Sequence, residues 1–191
     1  FEARIERVTN DTYLKVFQNN LVFTPGMLKS QSTMHSNLRF YLDKEDQNLS
    51  TGIDIFETLG TKHSDRYQYI FPYYDFYKNL NSIPVIENIF TSSTLDFHSS
   101  GNNTLVNTNN LKTTIVNNFN YSSNDFISNL GFKNNFYFYL KNLNSIGKND
   151  AIYTSNAQLD GMSIIKFDTS FPLIKSKDIV KETLTPKISF R

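Results

Sequence analysis

One segment, Arg66 to Lys78, constrains the fold of this chain more than any other. It contains five tyrosines and two phenylalanines among arginine, glutamine, aspartate and lysine side chains, with a proline in the middle. A soluble core does not bury so many hydroxyl and charged groups together unless each finds a partner. A β-strand with lipid on one side, water on the other and headgroups at both ends accommodates all of them. The segment therefore predicts a strand of a transmembrane β-barrel.

Composition narrows the remaining classes. The 19 basic and 18 acidic residues balance to a net charge of +1, which is unlike the basic stripe of a nucleic-acid-binding protein. The chain has no cysteine, which excludes disulfides and thiolate metal sites. Its histidines, His35, His63 and His98, are too far apart to form a ligand motif, so we expect them to be isolated surface residues. No catalytic motif is present, and we expect neither enzymatic activity nor a cofactor.

The clearest strand pattern runs from Leu130 to Lys141. Apolar and polar side chains alternate there with a period of two, and only Asn134 interrupts the apolar face. Because a tilted strand of ~9–11 residues crosses a bilayer, this stretch is long enough to span one. The residues predicted on its apolar face are Leu130, Phe132, Phe136, Phe138 and Leu140.

The same alternation recurs at residues 36–42, 111–120 and 164–171, where the charges lie on the face without phenylalanines. Four such segments predict a β-sheet with one apolar and one polar face. The side chains predicted to face a water-filled lumen are Arg39, Tyr41, Lys112, Lys133, Tyr137, Tyr139, Lys141 and Lys166. Those predicted to face lipid are Leu38, Phe40, Phe132, Phe136, Phe138, Leu140 and Phe167.

Clusters of turn-forming residues separate these segments. Their spacing of roughly 15–25 residues is typical of long barrel strands and exceeds the spacing in a small sandwich. We therefore predict an all-β chain of about eight or nine long strands, joined as antiparallel up-and-down hairpins of an incomplete transmembrane β-barrel. One longer excursion is expected between Asn10 and Lys29. The predicted turns lie at residues 43–48, 60–65, 79–82, 99–103, 122–125, 142–150 and 175–178.

Three segments carry a resemblance to one protein family. The first runs from Phe1 to Phe17 and contains Val-Thr-Asn-Asp-Thr-Tyr-Leu near its end. The second pairs residues 54–59 with residues 64–72, which end in Tyr-Gln-Tyr-Ile-Phe-Pro. The third is residues 171–175 followed by residues 182–190, Glu-Thr-Leu-Thr-Pro-Lys-Ile-Ser-Phe. In this order they span nearly the whole chain, and they are similar to strand segments of the LPS-assembly protein LptD family, also called organic solvent tolerance proteins.

The resemblance implies an outer-membrane barrel of a Gram-negative bacterium that receives lipopolysaccharide from a periplasmic bridge and inserts it into the outer leaflet. In that family the barrel encloses a plug lipoprotein, LptE, and carries an N-terminal periplasmic jelly roll. The implied partners are lipopolysaccharide, an LptE-like plug, the Lpt bridge components and outer-membrane lipid. We expect residues 1–191 to be one interior slice of the barrel, without the jelly roll and without the end strands that form the family's lateral gate.

Other classes are compatible with the same strand pattern. A porin or a TonB-type receptor is also an outer-membrane barrel, although its sequence more typically includes a plug domain or an acidic constriction loop. A soluble β-sandwich that binds sugars through its tyrosines predicts shorter strands and apolar faces buried between two sheets. A hydrolase on a β-scaffold is disfavoured because no carboxylate pair stands in a recognisable context.

Overall fold

The computed structural model of the chain describes residues 1–16, 32–82, 93–177 and 180–191. The excursion predicted between Asn10 and Lys29 lies outside the described residues from position 17 onward. The chain is all-β. Its strands are β1 (Glu2–Arg4), β2 (Thr33–Lys44), β3 (Gln47–Thr58), β4 (Tyr67–Asn79), β5 (Ser93–Val106), β6 (Asn110–Ser123), β7 (Phe126–Ile127), β8 (Lys133–Lys148), β9 (Gln158–Ser170), β10 (Leu173–Lys177), β11 (Val180–Leu184) and β12 (Lys187–Phe190). The short helical elements are α1 (Tyr13–Val16), α2 (His63–Arg66) and a 3-10 turn at Leu80–Ser82.

The main sheet has the strand order β1-β2-β3-β4-β5-β6-β8-β9-β12, and β7 pairs with β8 beside this path. Most neighbours in the sheet are also neighbours in sequence, which makes it a mostly antiparallel up-and-down sheet. Among the described strands no pairing joins β1 to β12, so the sheet is not closed into a barrel. The β10 and β11 strands form a separate antiparallel hairpin. The predicted all-β, up-and-down architecture is confirmed.

Seven strands, β2 to β6 with β8 and β9, contain 12 to 16 residues each. Period-two alternation accounts for them, because every second side chain of a strand points to the same face. In the β2–β3 hairpin, residues 33–44 pair with residues 47–58 without interruption, so only Glu45 and Asp46 form the turn. The turn predicted at residues 43–48 is thus tighter than its polar sequence suggests.

The turn predicted at residues 99–103 is wrong, because these residues lie inside β5. A Cβ atom at Gly101 would lie 2.6 Å from Cε1 of Tyr74, so glycine there makes room for a neighbouring aromatic ring. The asparagines also serve the strand, since Asn103 Oδ1 accepts a hydrogen bond from Thr113 Oγ1 at 2.8 Å on the adjacent strand. Glycine and asparagine here indicate cross-strand packing.

The reversal after β5 occurs instead at Asn107 and Thr108, whose φ angles of 53° and 55° place both in the left-handed region. The turn predicted at residues 142–150 is also displaced, because β8 continues to Lys148. Asn149, with φ of 55°, begins that reversal. Asparagine tolerates left-handed angles, but most asparagines among the described residues lie in extended strands, so composition alone misplaces the turns.

Two predicted strand segments have different bounds in the structure. The strand predicted from Leu130 begins only at Lys133, because Gly131 has φ of 83° in the turn before it. The predicted lipid-facing Phe132 therefore precedes β8, where its ring packs against Phe171 with centroids 5.0 Å apart. The segment at residues 182–190 is divided into β11 and β12 around its proline, which cannot donate to a ladder.

Burial in the described residues reverses the usual preference. Their buried apolar side chains are Leu14, Met34 and Leu95, each at most 4% exposed. Polar residues are more numerous in the buried class, whereas Phe40 is 52% exposed and Leu140 is 42% exposed. The informative features of a surface are buried polar groups and exposed apolar patches, and this chain has both. The buried polar residues are Asn37, Asp54, Ser93, Ser99, Asn134 and Ser145.

Residue contacts divide the chain into two compact units. The first unit comprises residues 1–76, 99–116 and 143–159 and includes the whole β2–β3 hairpin. The second unit comprises residues 77–98, 117–142 and 160–191 and includes the β10–β11 hairpin and β12. Each polar site described below lies entirely within one of these units.

Candidate functional site

The first unit contains a neutralised polar group on the β2–β3 hairpin, here called the Asp54 cluster (His35, Arg39 and Asp54). Asp54 Oδ1 accepts a hydrogen bond from Arg39 Nη2 at 3.0 Å and lies 2.7 Å from His35 Nε2. Asp54 is only 8% exposed, and the His35 ring stacks on Phe56 with centroids 4.3 Å apart. The cluster therefore satisfies its own carboxylate and needs no external ligand to do so.

An aromatic side chain closes this cluster. A Cβ atom at Gly52 would lie 2.9 Å from the Tyr73 hydroxyl oxygen, so the absence of a side chain there lets the Tyr73 ring cross the neighbouring strand. Thr51 Oγ1 donates to the Tyr73 carbonyl oxygen at 2.8 Å and ties the same two strands together. Tyr73 belongs to the aromatic segment Arg66 to Lys78, which predicted a membrane strand. In the structure its ring packs over Gly52.

The second unit contains an open cleft of about 410 Å³, here called the Tyr139 cleft. Its two tyrosines project from one face of β8, and its lysine projects from β9. This combination of phenol rings and fixed positive charge suits an anionic, hydroxyl-rich ligand. The residues that line the cleft are Tyr137, Tyr139, Ile164, Lys166 and Arg191.

The charges at the Tyr139 cleft are not balanced. Lys166 Nζ lies 2.7 Å from Asp168 Oδ2, and Lys187 Nζ lies 3.3 Å from the same oxygen. Ser189 also donates a hydrogen bond to Asp168. Two lysine side chains therefore share one carboxylate, and Arg191 adds a further basic side chain at the cleft. The net positive charge favours binding of an anion.

Hydrogen-bonded polar pairs extend from the Tyr139 cleft across neighbouring strands of the second unit. The Tyr139 hydroxyl donates to Asn118 Oδ1 at 3.1 Å. Asn118 Nδ2 in turn lies 3.4 Å from His98 Nδ1. The Tyr77 hydroxyl donates to Asp96 Oδ1 at 2.7 Å. Phenol, amide and imidazole groups of this kind are the donors and acceptors with which proteins bind sugar hydroxyls.

Of the eight predicted lumen-facing residues, three meet in the Tyr139 cleft, and strand alternation puts Lys141 on the same face of β8. Arg39 belongs to the Asp54 cluster, and Lys112 lies 4.9 Å from the ring centroid of Tyr153. Tyr41 is 54% exposed, and its hydroxyl lies 3.5 Å from a carboxylate oxygen of Glu2.

The eighth predicted lumen-facing residue, Lys133, is separate from the cleft. It forms an exposed ion pair with Asp125 at 2.7 Å, where the strand begins.

The predicted lipid-facing residues on β8 alternate with the cleft residues. Phe136, Phe138 and Leu140 occupy the face opposite the tyrosines, and the Phe136 ring packs on Tyr121 with centroids 6.0 Å apart. On β2 the same alternation separates the apolar residues from Arg39. The predicted lipid-facing residues outside β8 are Leu38, Phe40, Phe132 and Phe167.

Sequence reasoning missed four residues of these sites, namely His35, Asp54, Ile164 and Arg191. His35 is not an isolated surface residue, because the register of the β2–β3 hairpin places it beside Asp54. That register was the missing signal, since a single strand pattern does not identify the residue across the ladder.

A network of charged side chains in the first unit connects the segment around Asp11 to the end of β3 and the start of β4. Arg66 donates to both carboxylate oxygens of Asp11, at 2.8 and 3.0 Å, and to Glu57 at 2.6 Å. These hydrogen bonds, first to Asp11 and then to Glu57, hold the pKa of Arg66 above its ordinary value. The Tyr67 hydroxyl donates to the same Glu57 oxygen at 3.0 Å. The bidentate geometry fixes the segment around Asp11 against the β3–β4 connection.

No protein-family model matches the chain, and no curated protein matches it. Within the described ranges, no helix is long and apolar enough to cross a membrane. The same residues contain no group of three or more histidine, aspartate or glutamate side chains placed to hold a metal ion. The sheet, the burial pattern and the Tyr139 cleft are therefore the features that bear on function.

Proposed function

We propose that the chain is part of an outer-membrane β-barrel of the LptD type, which transfers lipopolysaccharide into the outer leaflet of a Gram-negative bacterium. The burial pattern carries this proposal. Apolar side chains such as Phe40 and Leu140 are exposed on long strands, whereas polar residues such as Asp54 and Asn37 are buried. Exposed apolar area of this kind is costly in water and favourable in a bilayer.

Strand length supports the same proposal. A tilted transmembrane β-strand needs ~9–11 residues, and the seven long strands contain 12 to 16. The 16-residue β8 strand is the best example, with Phe138 and Leu140 on one face and Tyr137, Tyr139 and Lys141 on the other. In a barrel wall the first face would contact lipid and the second would contact the aqueous lumen.

The Tyr139 cleft supports lipopolysaccharide as the substrate. The head of this lipid carries phosphorylated sugars, which need cationic and hydroxyl partners while they are away from bulk water. Lys166 and Arg191 would contact the phosphate groups, and Tyr137 and Tyr139 would contact the sugar rings. Transfer of the lipid makes and breaks no covalent bond, so this function requires neither a catalytic group nor a cofactor. An LptE-like plug and the Lpt bridge are the partners that the resemblance adds.

The membrane part of the proposal is tested by labelling adjacent positions. The chain has no cysteine, so Tyr137→Cys and Phe138→Cys each introduce a single thiol. After refolding into lipid vesicles, a water-soluble maleimide should label the Tyr137→Cys variant and leave the Phe138→Cys variant unlabelled until detergent is added. Equal labelling of both variants in intact vesicles would contradict the barrel.

The substrate is tested by photo-crosslinking in membranes that contain lipopolysaccharide. A benzophenone side chain in place of Tyr139 should capture lipopolysaccharide, and the same group in place of Phe138 should capture phospholipid acyl chains. Capture of phospholipid at Phe138 without lipopolysaccharide at Tyr139 would indicate another outer-membrane barrel, such as a porin or a TonB-type receptor. A soluble monomer that binds sugar would instead indicate the β-sandwich.

A further inference from the structure

At the end of β8, the residues on the polar face are buried, although a polar face in contact with solvent would be exposed. Ser145 is 5% exposed and Gly147 is also buried, and strand alternation puts them on the same face. Ile146 and Lys148 point to the other face and are exposed, Ile146 by 40%. A part of the chain therefore covers the face that carries Ser145.

The covering segment is residues 149–157, which we call the strap. A Cβ atom at Gly147 would lie 2.8 Å from Cβ of Tyr153 and 2.9 Å from Cβ of Asp150, so the strap lies directly on the glycine. The Gly147 amide donates to the Thr154 carbonyl oxygen at 2.8 Å. Any side chain at position 147 would displace the strap, because real Cβ atoms do not approach other atoms this closely.

Side-chain contacts also hold the strap, some within it and some with β6 and the turn before β6. The Lys112 ammonium lies 4.9 Å from the ring centroid of Tyr153, within the range of a cation–π contact. Asp150 accepts hydrogen bonds from the backbone amides of Ile152 at 2.8 Å and Tyr153 at 2.9 Å. Asn149 Nδ2 donates to the Asn109 carbonyl oxygen at 3.1 Å, which ties the strap to the preceding turn of the sheet.

The closed position also has a cost. The Ser145 hydroxyl is buried and has no hydrogen-bond partner among the described residues. A buried polar group without a partner destabilises the state that buries it. Among the contacts that hold the strap, the one between the Lys112 ammonium and the Tyr153 ring is the contact for which an anion would compete.

We propose that the strap is a latched cover, closed by Lys112 against Tyr153 and released when a phosphate group draws the Lys112 ammonium away. Lys112 is one of the predicted lumen-facing residues, so the meaning of release for transport rests on the proposed function. In a barrel, the strap would narrow the lumen until the phosphorylated head of the lipid arrived. The latch itself depends only on contacts within the first unit.

The test uses chymotrypsin, which cleaves after Tyr153 when the strap is open. The protein in detergent micelles is compared as wild type, Gly147→Val and Gly161→Val. Gly161 is the matched control, because a Cβ atom there meets nothing within 4 Å. Gly147→Val should speed cleavage at Tyr153 at least about tenfold, and Gly161→Val should leave it unchanged. An equal rate in all three proteins, each shown to be folded by circular dichroism, would overturn the strap.

The anion dependence needs a second comparison. Inorganic phosphate, added at constant ionic strength, should raise the cleavage rate of the wild type. Lys112→Met should raise the basal rate about threefold and abolish the response to phosphate. No response in the wild type, or an equal response in Lys112→Met, would overturn release by phosphate. These assays need neither a bilayer nor lipopolysaccharide, so failure of the transport proposal leaves their outcome unaffected.

Discussion

Asp54 and Asp168 each contact two basic side chains on a polar face, yet their surroundings differ. The Asp54 side chain is 11% exposed, and its arginine and histidine partners are 32% and 30% exposed. The Asp168 side chain is 17% exposed, but its two lysine partners are 40% and 57% exposed. Tyr73 closes the first group, whereas the second adjoins the Tyr139 cleft.

The difference in exposure shows that a contact between a carboxylate and basic side chains can either stabilise the fold or leave cations available to a ligand. A charge pair shielded from water is costly to break, so removal of one member of the Asp54 cluster should destabilise the fold. Flexible lysines near water gain little from their carboxylate and remain available to an incoming anion. Mutations of the two carboxylates should therefore change different properties.

Asp54→Asn should have the largest effect, a loss of about 2–3 kcal/mol in the free energy of unfolding. The substitution keeps the side-chain shape and leaves Arg39 without its compensating charge. Partial exposure of Arg39 keeps the loss below that of a fully buried pair. Denaturant unfolding in micelles measures it. The control is Asp125→Asn, which breaks the exposed pair with Lys133 and should cost about 0.5 kcal/mol or less. Equal losses of unfolding free energy in Asp54→Asn and Asp125→Asn would show that shielding from water does not strengthen the Asp54 contacts.

Lys166→Met should weaken binding rather than folding. Loss of one cation from the Tyr139 cleft is expected to reduce the affinity for lipopolysaccharide about tenfold, with little change in the unfolding midpoint. Titration of the micellar protein with lipopolysaccharide gives the affinity. Lys133→Met is the matched control, because Lys133 lies outside the cleft and should bind as the wild type does. A similar loss in both variants would point to non-specific charge attraction.

Asp168→Asn should change affinity in the opposite direction. Removal of the carboxylate takes away the acidic partner of Lys166 and Lys187, so lipopolysaccharide should bind about threefold more tightly. Stability should fall by less than about 1 kcal/mol, because the lysine partners are well exposed. The same titration and the same unfolding experiment give both values. Weaker binding would show that Asp168 positions the lysines rather than neutralises them.

Mutation of Asp150 should have the smallest effect on stability. Its carboxylate differs from those of Asp54 and Asp168 because backbone amides are its main partners. Hydrogen bonds from the backbone amides of Tyr153 and Ile152 hold the pKa of Asp150 below its ordinary value of 3.8, and Lys112 contributes further. A carboxylate with a lowered folded-state pKa stabilises the fold above the unfolded pKa and loses this contribution as pH falls through the folded value.

The difference in thermal midpoint between the wild type and Asp150→Asn should therefore be largest near neutral pH. It should shrink once the pH falls below 3.8. A difference that stayed constant down to about pH 3 and below would mean that the Asp150 charge does not hold the strap.

Sequence patterns predicted the long strands well where apolar and polar residues alternate, as at residues 36–42 and 133–141. They are wrong where asparagine and glycine predict a turn and the structure has a strand. Residues 99–103 are extended because a neighbouring tyrosine packs on Gly101, a contact between strands distant in sequence. Such contacts have no local signature, since they depend on which residues the ladder places side by side.

The residues of the Tyr139 cleft also fall into two groups, those that a local pattern predicts and one that only strand pairing brings to the cleft. Alternation alone identified Tyr137, Tyr139 and Lys166 as residues of a polar face, because side-chain direction in a strand repeats every two residues. Their meeting with Arg191 required the pairing of β12 with β9, which no local pattern specifies.

The sequence by itself thus determined an all-β chain of long, two-faced strands, since hydrophobic periodicity is a property of neighbouring residues. Only the tertiary structure decided which charges are neutralised and which remain open to a ligand. Register and burial set those outcomes: Asp54 is paired because β3 brings it to Arg39, and Gly147 is covered because the chain folds back over it. Both depend on distances between residues that the order of the sequence does not contain.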